Sequence, residues 1–127
     1  TLIASMAKRN GKLSTVLGCM GADGQPQIQL QVYNAMIDYG LDIQEALELP
    51  RFLSGRFALG EARDTLYLES RFPADTIDAL ERRGHTVHRW GGWNELAGHA
   101  HGITIGAEDR ILSGGADPRS DGAAIGY

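Results

Sequence analysis

Leu17-Gly18-Cys19-Met20-Gly21-Ala22-Asp23-Gly24-Gln25-Pro26-Gln27 is the stretch on which the fold turns: a short apolar strand runs into a glycine-dense turn that opens directly onto a helix. Such a turn brings backbone N–H groups to the positive end of a helix, where they can stabilise a carboxylate, a phosphate or the oxyanion of acyl transfer. An ordinary helix lead-in with turn glycines has the same spacing. Neither a GxGxxG order nor the lysine-plus-hydroxyl ending of a P-loop accompanies it, which ranks a phosphate or nucleotide site behind the other readings.

Upstream of this stretch, Thr1 to Ala7 and Lys12 to Leu17 are short apolar-rich runs separated by Lys8-Arg9-Asn10-Gly11. Asn-Gly suits the positive φ angles of a tight turn, so the two runs are expected to pair antiparallel. Downstream, Ile28, Val32, Ala35, Met36 and Tyr39 follow helical spacing from Pro26 to Tyr39, and Gly40 can close the end. The first half also alternates like a strand at Ile28, Leu30 and Val32, but the length and the later pattern favour helix. Asp42 and Glu45 have capping-box spacing for a second helix ending near Leu49, with Pro50 beyond.

Arg51 to Arg63 has no clear periodicity. Thr65 to Leu68 reads as a strand leading to a third helix, Pro73 to Arg83, closed by Gly84, with Asp75 and the pair Arg82 and Arg83 complementing its dipole. Short strands follow at Thr86 to Trp90, His101 to Ile105 and Ile111 to Ser113. This order predicts an α+β or layered α/β arrangement rather than a regular βαβ alternation, with residues 1–127 forming a single domain or part of one. A first strand starting at residue 1 suggests sheet partners upstream.

The 127 residues carry a net charge of -4 and no basic stripe, which argues against nucleic acid as a partner. No apolar run is long enough to span a bilayer, and no charged-then-apolar leader precedes the first strand, so no membrane association is expected. Cys19 is the single cysteine, which excludes an internal disulfide and a cysteine-rich zinc site but leaves the redox compartment open.

The motifs Asp23-Gly24-Gln25-Pro26-Gln27-Ile28-Gln29, Asp38-Tyr39-Gly40-Leu41-Asp42, Glu45-Ala46 and Pro50-Arg51-Phe52 follow one another in an order that resembles the C-terminal part of the small subunit of γ-glutamyltransferases. Glu69-Ser70-Arg71-Phe72 and Arg83-Gly84-His85 fall between in the expected order, and the run from Gly114 through Asp117-Pro118-Arg119-Ser120-Asp121-Gly122 to Tyr127 looks like that family's terminus. The resemblance covers nearly the whole chain. It implies an N-terminal-nucleophile hydrolase fold, a four-layer αββα sandwich made when a precursor cuts itself into a large and a small subunit.

The family's nucleophile is the threonine at the small subunit's new N-terminus, upstream of the segment matched here. Thr1 instead falls where the family has the second residue of a Ser-Ser or His-Thr pair beside the substrate, so the resemblance makes Thr1 a substrate-binding candidate and the isolated chain inert. The family's paired oxyanion-hole glycines match Gly21 and Ala22, whose adjacent backbone N–H groups would stabilise the oxygen of an attacked γ-glutamyl amide. If the second position needs positive φ, Ala22 is strained by roughly 1 kcal/mol.

The implied reaction is hydrolysis or transfer of γ-glutamyl amides, such as glutathione, through an acyl-threonine, with no cofactor. The implied partners are the rest of the small subunit and the large subunit from the same precursor, together with a small γ-glutamyl or related amide substrate. The Asp-Gly-Gln-Pro-Gln loop also resembles acylase-like and oxamate-amidohydrolase-like members, so an amidohydrolase of different substrate is an alternative. A non-catalytic binding module of the same fold is another. Family members occupy the bacterial periplasm, the exterior or the cytoplasm, and exposed sheet edges would let the fragment dimerise.

His99 and His101, with i, i+2 spacing, share a strand face, and His85 and His88 lie upstream; solvated or hydrogen-bonded strand histidines are the expectation over a metal site. Trp90 and Trp93 are expected to pack a loop against the sheet rather than wall a ligand. Arg51, Arg56 and Arg63 are expected to be solvated, and Arg119 to serve a structural turn by pairing with Asp121 or a carboxylate elsewhere.

Overall fold

The computed structural model describes residues 2–55 and 62–127. Asn10 and Gly11 both take positive φ, 52° and 79°, and join β1 (Ile3–Arg9) to β2 (Lys12–Met20) as an antiparallel hairpin. Both strands outrun their expected ends: β1 pairs with β2 as far as Arg9 opposite Lys12, and β2 pairs on its other side with β6 (His99–Ile105) as far as Met20 opposite His99. With β7 (Leu112–Ala116), the sheet order among the described residues is β1-β2-β6-β7, antiparallel throughout. The last strand sits later than Ile111 to Ser113 because Gly114 and Gly115, which look like turn residues, pair with Ile103 and Gly102. A Cβ on Gly115 would stand 2.9 Å from Leu47 Cδ1, so the glycine is where a helix presses on the sheet.

That helix is α2 (Ile43–Glu48), started by the expected capping box: the Glu45 N–H donates to Asp42 Oδ1 and the Asp42 N–H to Glu45 Oε2. Beside it lies α1 (Gln25–Ile37), whose Ile28, Val32 and Ala35 are buried at helical spacing. The two helices cover one face of the sheet through Leu17, Cys19 and Ala100. Alternation sends Met6, Val16, Met20, Ile103 and Leu112 to the opposite face, where all but Val16 are exposed. In an αββα sandwich a second sheet covers such a face.

A smaller sheet, β3-β4-β5, lies on the far side of the helix pair, with β3 (Phe52–Ser54) antiparallel and β5 (Thr86–Trp90) parallel to β4 (Thr65–Glu69). Leu53 and Trp90 belong to the main core, while Leu66 and Leu68 face the other way onto Ile77 of α3 (Ala74–Arg82). The layers therefore run sheet, helix pair, sheet, helix.

The three-residue β3 is absent from the sequence reading, and its outer edge is paired by side chains. The Gln27 amide accepts from the Ser54 N–H and donates to the Ser54 C=O, both at 2.8 Å, and Gln31 does the same to Phe52 at 3.1 and 2.8 Å. Gln44 grips Ala116 of β7 in the same way. Glutamine amides thus stand in for neighbouring strands at edges that would otherwise present unpaired backbone.

Candidate active site

Strand β2 ends at Met20, and the chain enters α1 through one 3-10 turn, Ala22–Gly24. The Gly24 N–H donates to the Gly21 C=O at 2.8 Å, and the Gln25 N–H to the Ala22 C=O. Because a trans peptide points its C=O and N–H in opposite directions, tying the Gly21 carbonyl toward the helix sends the Ala22 N–H away from it. Neither the Gly21 nor the Ala22 N–H meets an acceptor among the described residues. Gly21 is half-buried and Ala22 exposed, so the amides lie at the surface of this chain rather than in its packed interior.

The turn holds an unusual backbone. Ala22 has φ 45°, which costs an L-residue roughly 1–2 kcal/mol. Gly21 has φ 156°, and a Cβ there would sit 2.5 Å from Ile28 Cδ1. Gly98, with φ 77°, closes the other side: its own Cβ would fall 2.6 Å from the Met20 carbonyl oxygen, and its Cα is 3.5 Å from where a Gly21 Cβ would be. Two glycines in contact and one strained alanine therefore set the exit of β2.

Gly98 is itself held by a buried cluster of charged groups, of which the sequence suggests a solvated position for Arg51 alone. Arg51 is 1% exposed, not solvated. Its Nη1 donates to the Gly98 C=O at 2.9 Å and pairs with Asp117 Oδ2 at 2.6 Å. The other Asp117 oxygen accepts from Arg119 Nη1 at 3.0 Å, and Arg119 donates to Glu69 through Nε at 2.7 Å and Nη2 at 2.5 Å. Arg119 thus pairs with Asp117 and with a carboxylate 50 residues away, not with Asp121. It also donates to the carbonyls of Leu47 and Leu49 at the end of α2.

Burial alone would raise the Glu69 pKa, yet the Arg119 hydrogen bonds and the Arg51 and Asn94 N–H groups outweigh it and hold the carboxylate below its usual range. Burial likewise opposes the Asp117 charge, and Arg51 with the Ala100 and Arg119 N–H groups wins. Both arginines stay cationic. A readable signal existed for Glu69: period two along Thr65 to Glu69 puts it on the same sheet face as Tyr67.

Thr1 and Arg56 lie outside the described residues, and Arg63 is exposed as expected. Trp90 is buried and stacks on Tyr67 at 5.0 Å, whereas Trp93 is about half exposed with the Arg71 guanidinium 3.5 Å above its ring. His88 meets Tyr67 edge-on, away from His99 and His101 on the outer sheet face, and His99 Nε2 is buried without a partner among the described residues. No group of three or more His, Cys, Asp or Glu converges as metal ligands among the described residues. Cys19 is buried under α1, bonded to Gln29 Nε2 at 3.6 Å, and burial pushes its thiol pKa up, which leaves it a poor nucleophile.

Comparison with known proteins places the fold in a family. The chain is 41% identical over 126 residues to the glutathione hydrolase-like YwrD proenzyme of Bacillus subtilis, covering 99% of this chain and 24% of that protein. It is 40% identical over 127 residues to the oxamate amidohydrolase proenzyme of Klebsiella pneumoniae, covering 100% of this chain and again 24% of the relative. The chain therefore spans about a quarter of the length of these relatives. Among solved structures, γ-glutamyltranspeptidase from Pseudomonas nitroreducens complexed with L-DON superposes with a TM-score of 0.80 at 26% identity, covering 100% of this chain and 62% of that one. The sequence model for gamma-glutamyltranspeptidase matches residues 1–127 from end to end, and with the shared fold this makes the chain a member of the γ-glutamyltranspeptidase family of N-terminal-nucleophile hydrolases.

Proposed function

We propose that this chain is the C-terminal part of the small subunit of a γ-glutamyltransferase-like enzyme, and that the Gly21 and Ala22 N–H groups form its oxyanion hole. The nucleophile is a threonine upstream of residue 1, in polypeptide that the proenzyme relatives carry. Its hydroxyl oxygen attacks the carbonyl carbon of a γ-glutamyl amide such as glutathione. As the new C–O bond forms, the carbonyl electron pair moves onto oxygen, where the two amides meet it. Losing one such donor typically costs ~3 kcal/mol of barrier. The C–N bond then breaks, and the amine leaves with a proton. Water or a second amine attacks the acyl-threonine and frees the hydroxyl. No cofactor takes part, and the other partner is the large subunit cut from the same precursor.

The observation that carries this reading is the pair of consecutive amides at the end of β2 that meet no acceptor among the described residues, held in a left-handed turn at the surface of the chain. A second reading, hydrolysis of a different small amide, has support of its own in the 40% identity to an oxamate amidohydrolase. The two share an electrophile and differ in what surrounds it.

The test is to assay the full-length protein against a γ-glutamyl anilide and oxamate side by side. Turnover of the anilide is expected. Turnover of oxamate alone would shift the assignment to the second reading, and failure with both would end the γ-glutamyl proposal. Sustained turnover by the isolated 127-residue chain, abolished by Thr1→Ala, would overturn the placement of the nucleophile upstream.

A further inference from the structure

We propose that Gln25 is a positioning residue for the turn that carries the oxyanion donors, a role that rests on the reading of Gly21 and Ala22 given above. Gln25 is the first residue of α1 and is 2% exposed, although its side chain is polar. Its Nε2 donates to the Ala22 carbonyl at 3.0 Å, and its Oε1 accepts the Ile3 N–H at 2.7 Å. One buried amide thus ties the strained residue of the turn to the first strand of the sheet. Gln29, one helical turn later, donates to the Ile3 C=O at 2.8 Å, so both backbone groups of Ile3 are bonded from α1.

The consequence follows from the two peptides that flank Ala22. The Gly21 carbonyl is tied to the Gly24 N–H, which fixes the peptide that bears the Ala22 N–H. The Ala22 carbonyl is tied twice, by the Gln25 main chain and by the Gln25 side chain. With both planes held, Ala22 cannot rotate out of φ 45° even though roughly 1–2 kcal/mol favours doing so. Without the side-chain bond, Ala22 relaxes toward negative φ and turns its N–H away from the direction shared with Gly21. Gln25 touches no reacting atom. It acts by keeping two donors aimed, the preorganisation on which an oxyanion hole depends.

The same side chain links the turn to Ile3, the first residue of β1. The Gln25 side chain thus couples β1 to Ala22 directly, in addition to the pairing of β1 with β2.

The test uses the full-length protein carrying Gln25→Glu, which keeps the shape and the acceptor for Ile3 but replaces the donor facing Ala22 with a carboxylate oxygen. Should that variant not fold, Gln25→Met fills the same space without charge. With a γ-glutamyl anilide, kcat is expected to fall at least tenfold while KM changes less than about twofold. A boronic acid whose tetrahedral adduct places an oxygen in the hole should lose affinity in proportion to kcat. Adding Ala22→Gly, which removes the strain that drives relaxation, should restore most of the loss. A general loss of stability would lower the amount of active enzyme without moving the boronate affinity of what remains.

Hydrogen exchange provides a readout that needs no substrate. The Gly24 and Gln25 amides, which close the turn, should exchange at least tenfold faster in the variant, while those of α3 do not change. Equal exchange of the turn amides in variant and wild type, or kcat unchanged alongside intact boronate affinity, overturns the proposal. Absence of any γ-glutamyl turnover in the wild type would instead sink the γ-glutamyl reading, and the exchange result would still decide the role of Gln25.

Discussion

Replacing Glu69 by glutamine exchanges one oxygen for an NH2 group and removes one charge at a site with 0% exposure. The two Glu69 oxygens accept five N–H donors: Oε1 from Arg119 Nε and Asn94 N, and Oε2 from Arg51 N, Arg119 Nη2 and Arg71 Nη2. Whichever way the new amide is turned, its NH2 group meets two or three donors and can accept from none of them. Removing one partner of a buried ion pair typically costs about 3–5 kcal/mol. Asp117 still pairs with both Arg51 and Arg119, which favours the lower end, about 3 kcal/mol.

Equilibrium urea unfolding of the full-length protein measures this, with tryptophan fluorescence reporting on the buried Trp90. Glu81→Gln is the control, because Glu81 faces Arg89 at 3.3 Å with both side chains about half exposed, and such pairs are worth at most about 1 kcal/mol. If the two substitutions cost the same, or if Glu69→Gln costs less than about 1 kcal/mol, the cluster is not the tie that its geometry indicates.

Two further expectations concern the same region. Glu69 and Asp117 titrate below their ordinary values of 4.5 and 3.8 in the folded protein, so the stability they contribute is complete above about pH 4.5 and is lost as pH falls through the folded values. Acid titration of the wild type should therefore be steeper over that interval than that of Glu69→Gln, and parallel curves would contradict the assignment. Gly98→Ala should cost about 2 kcal/mol or more in urea and lower kcat, because its Cβ would stand 2.6 Å from the Met20 carbonyl oxygen at φ 77°. Gly11→Ala, at φ 79° with nothing within 4 Å, should cost only the ~1 kcal/mol of backbone strain.

What the sequence disclosed was local. Asn10-Gly11 signals its hairpin, and Asp42 with Glu45 signals the start of α2, because the interactions that decide both lie within a few residues. The strand-turn-helix around Gly21 is legible for the same reason. The cluster beneath it is not: Glu69 and Arg119 are 50 residues apart, and nothing near either residue says that the other neutralises it. An arginine without a visible partner reads as solvated, and Arg51, whose partner Asp117 lies far along the chain, is buried instead. Strand β3 escapes for a different reason, since three residues give no period to detect and its edge is completed by glutamines of α1. The glutamines at positions 25, 27, 29 and 31 even mimic strand alternation, yet on a helix they divide into two pairs that grip β1 and β3.

The exit of β2 is held from two directions that share no side chain. From the helix side, Gln25 bonds the Ala22 carbonyl, and at about 1 kcal/mol for each hydrogen bond its contacts with Ala22 and Ile3 are of the size needed to offset the strain at φ 45°. From the sheet side, Gly98 sits against Gly21 because Arg51 holds the Gly98 carbonyl, and Arg51 is in turn fixed by Asp117, whose second oxygen binds Arg119. Arg119 reaches Glu69 and the last carbonyls of α2, so the C-terminal segment, the second sheet and the helix pair all converge on one glycine beside the turn. An exposed pair such as Arg89 with Asp78 on the far side of the small sheet has no such connection. A strained backbone persists only where its surroundings over-determine it. Here the over-determination is split between one neutral amide and one buried charge cluster, so weakening either leaves the strained turn to the other alone.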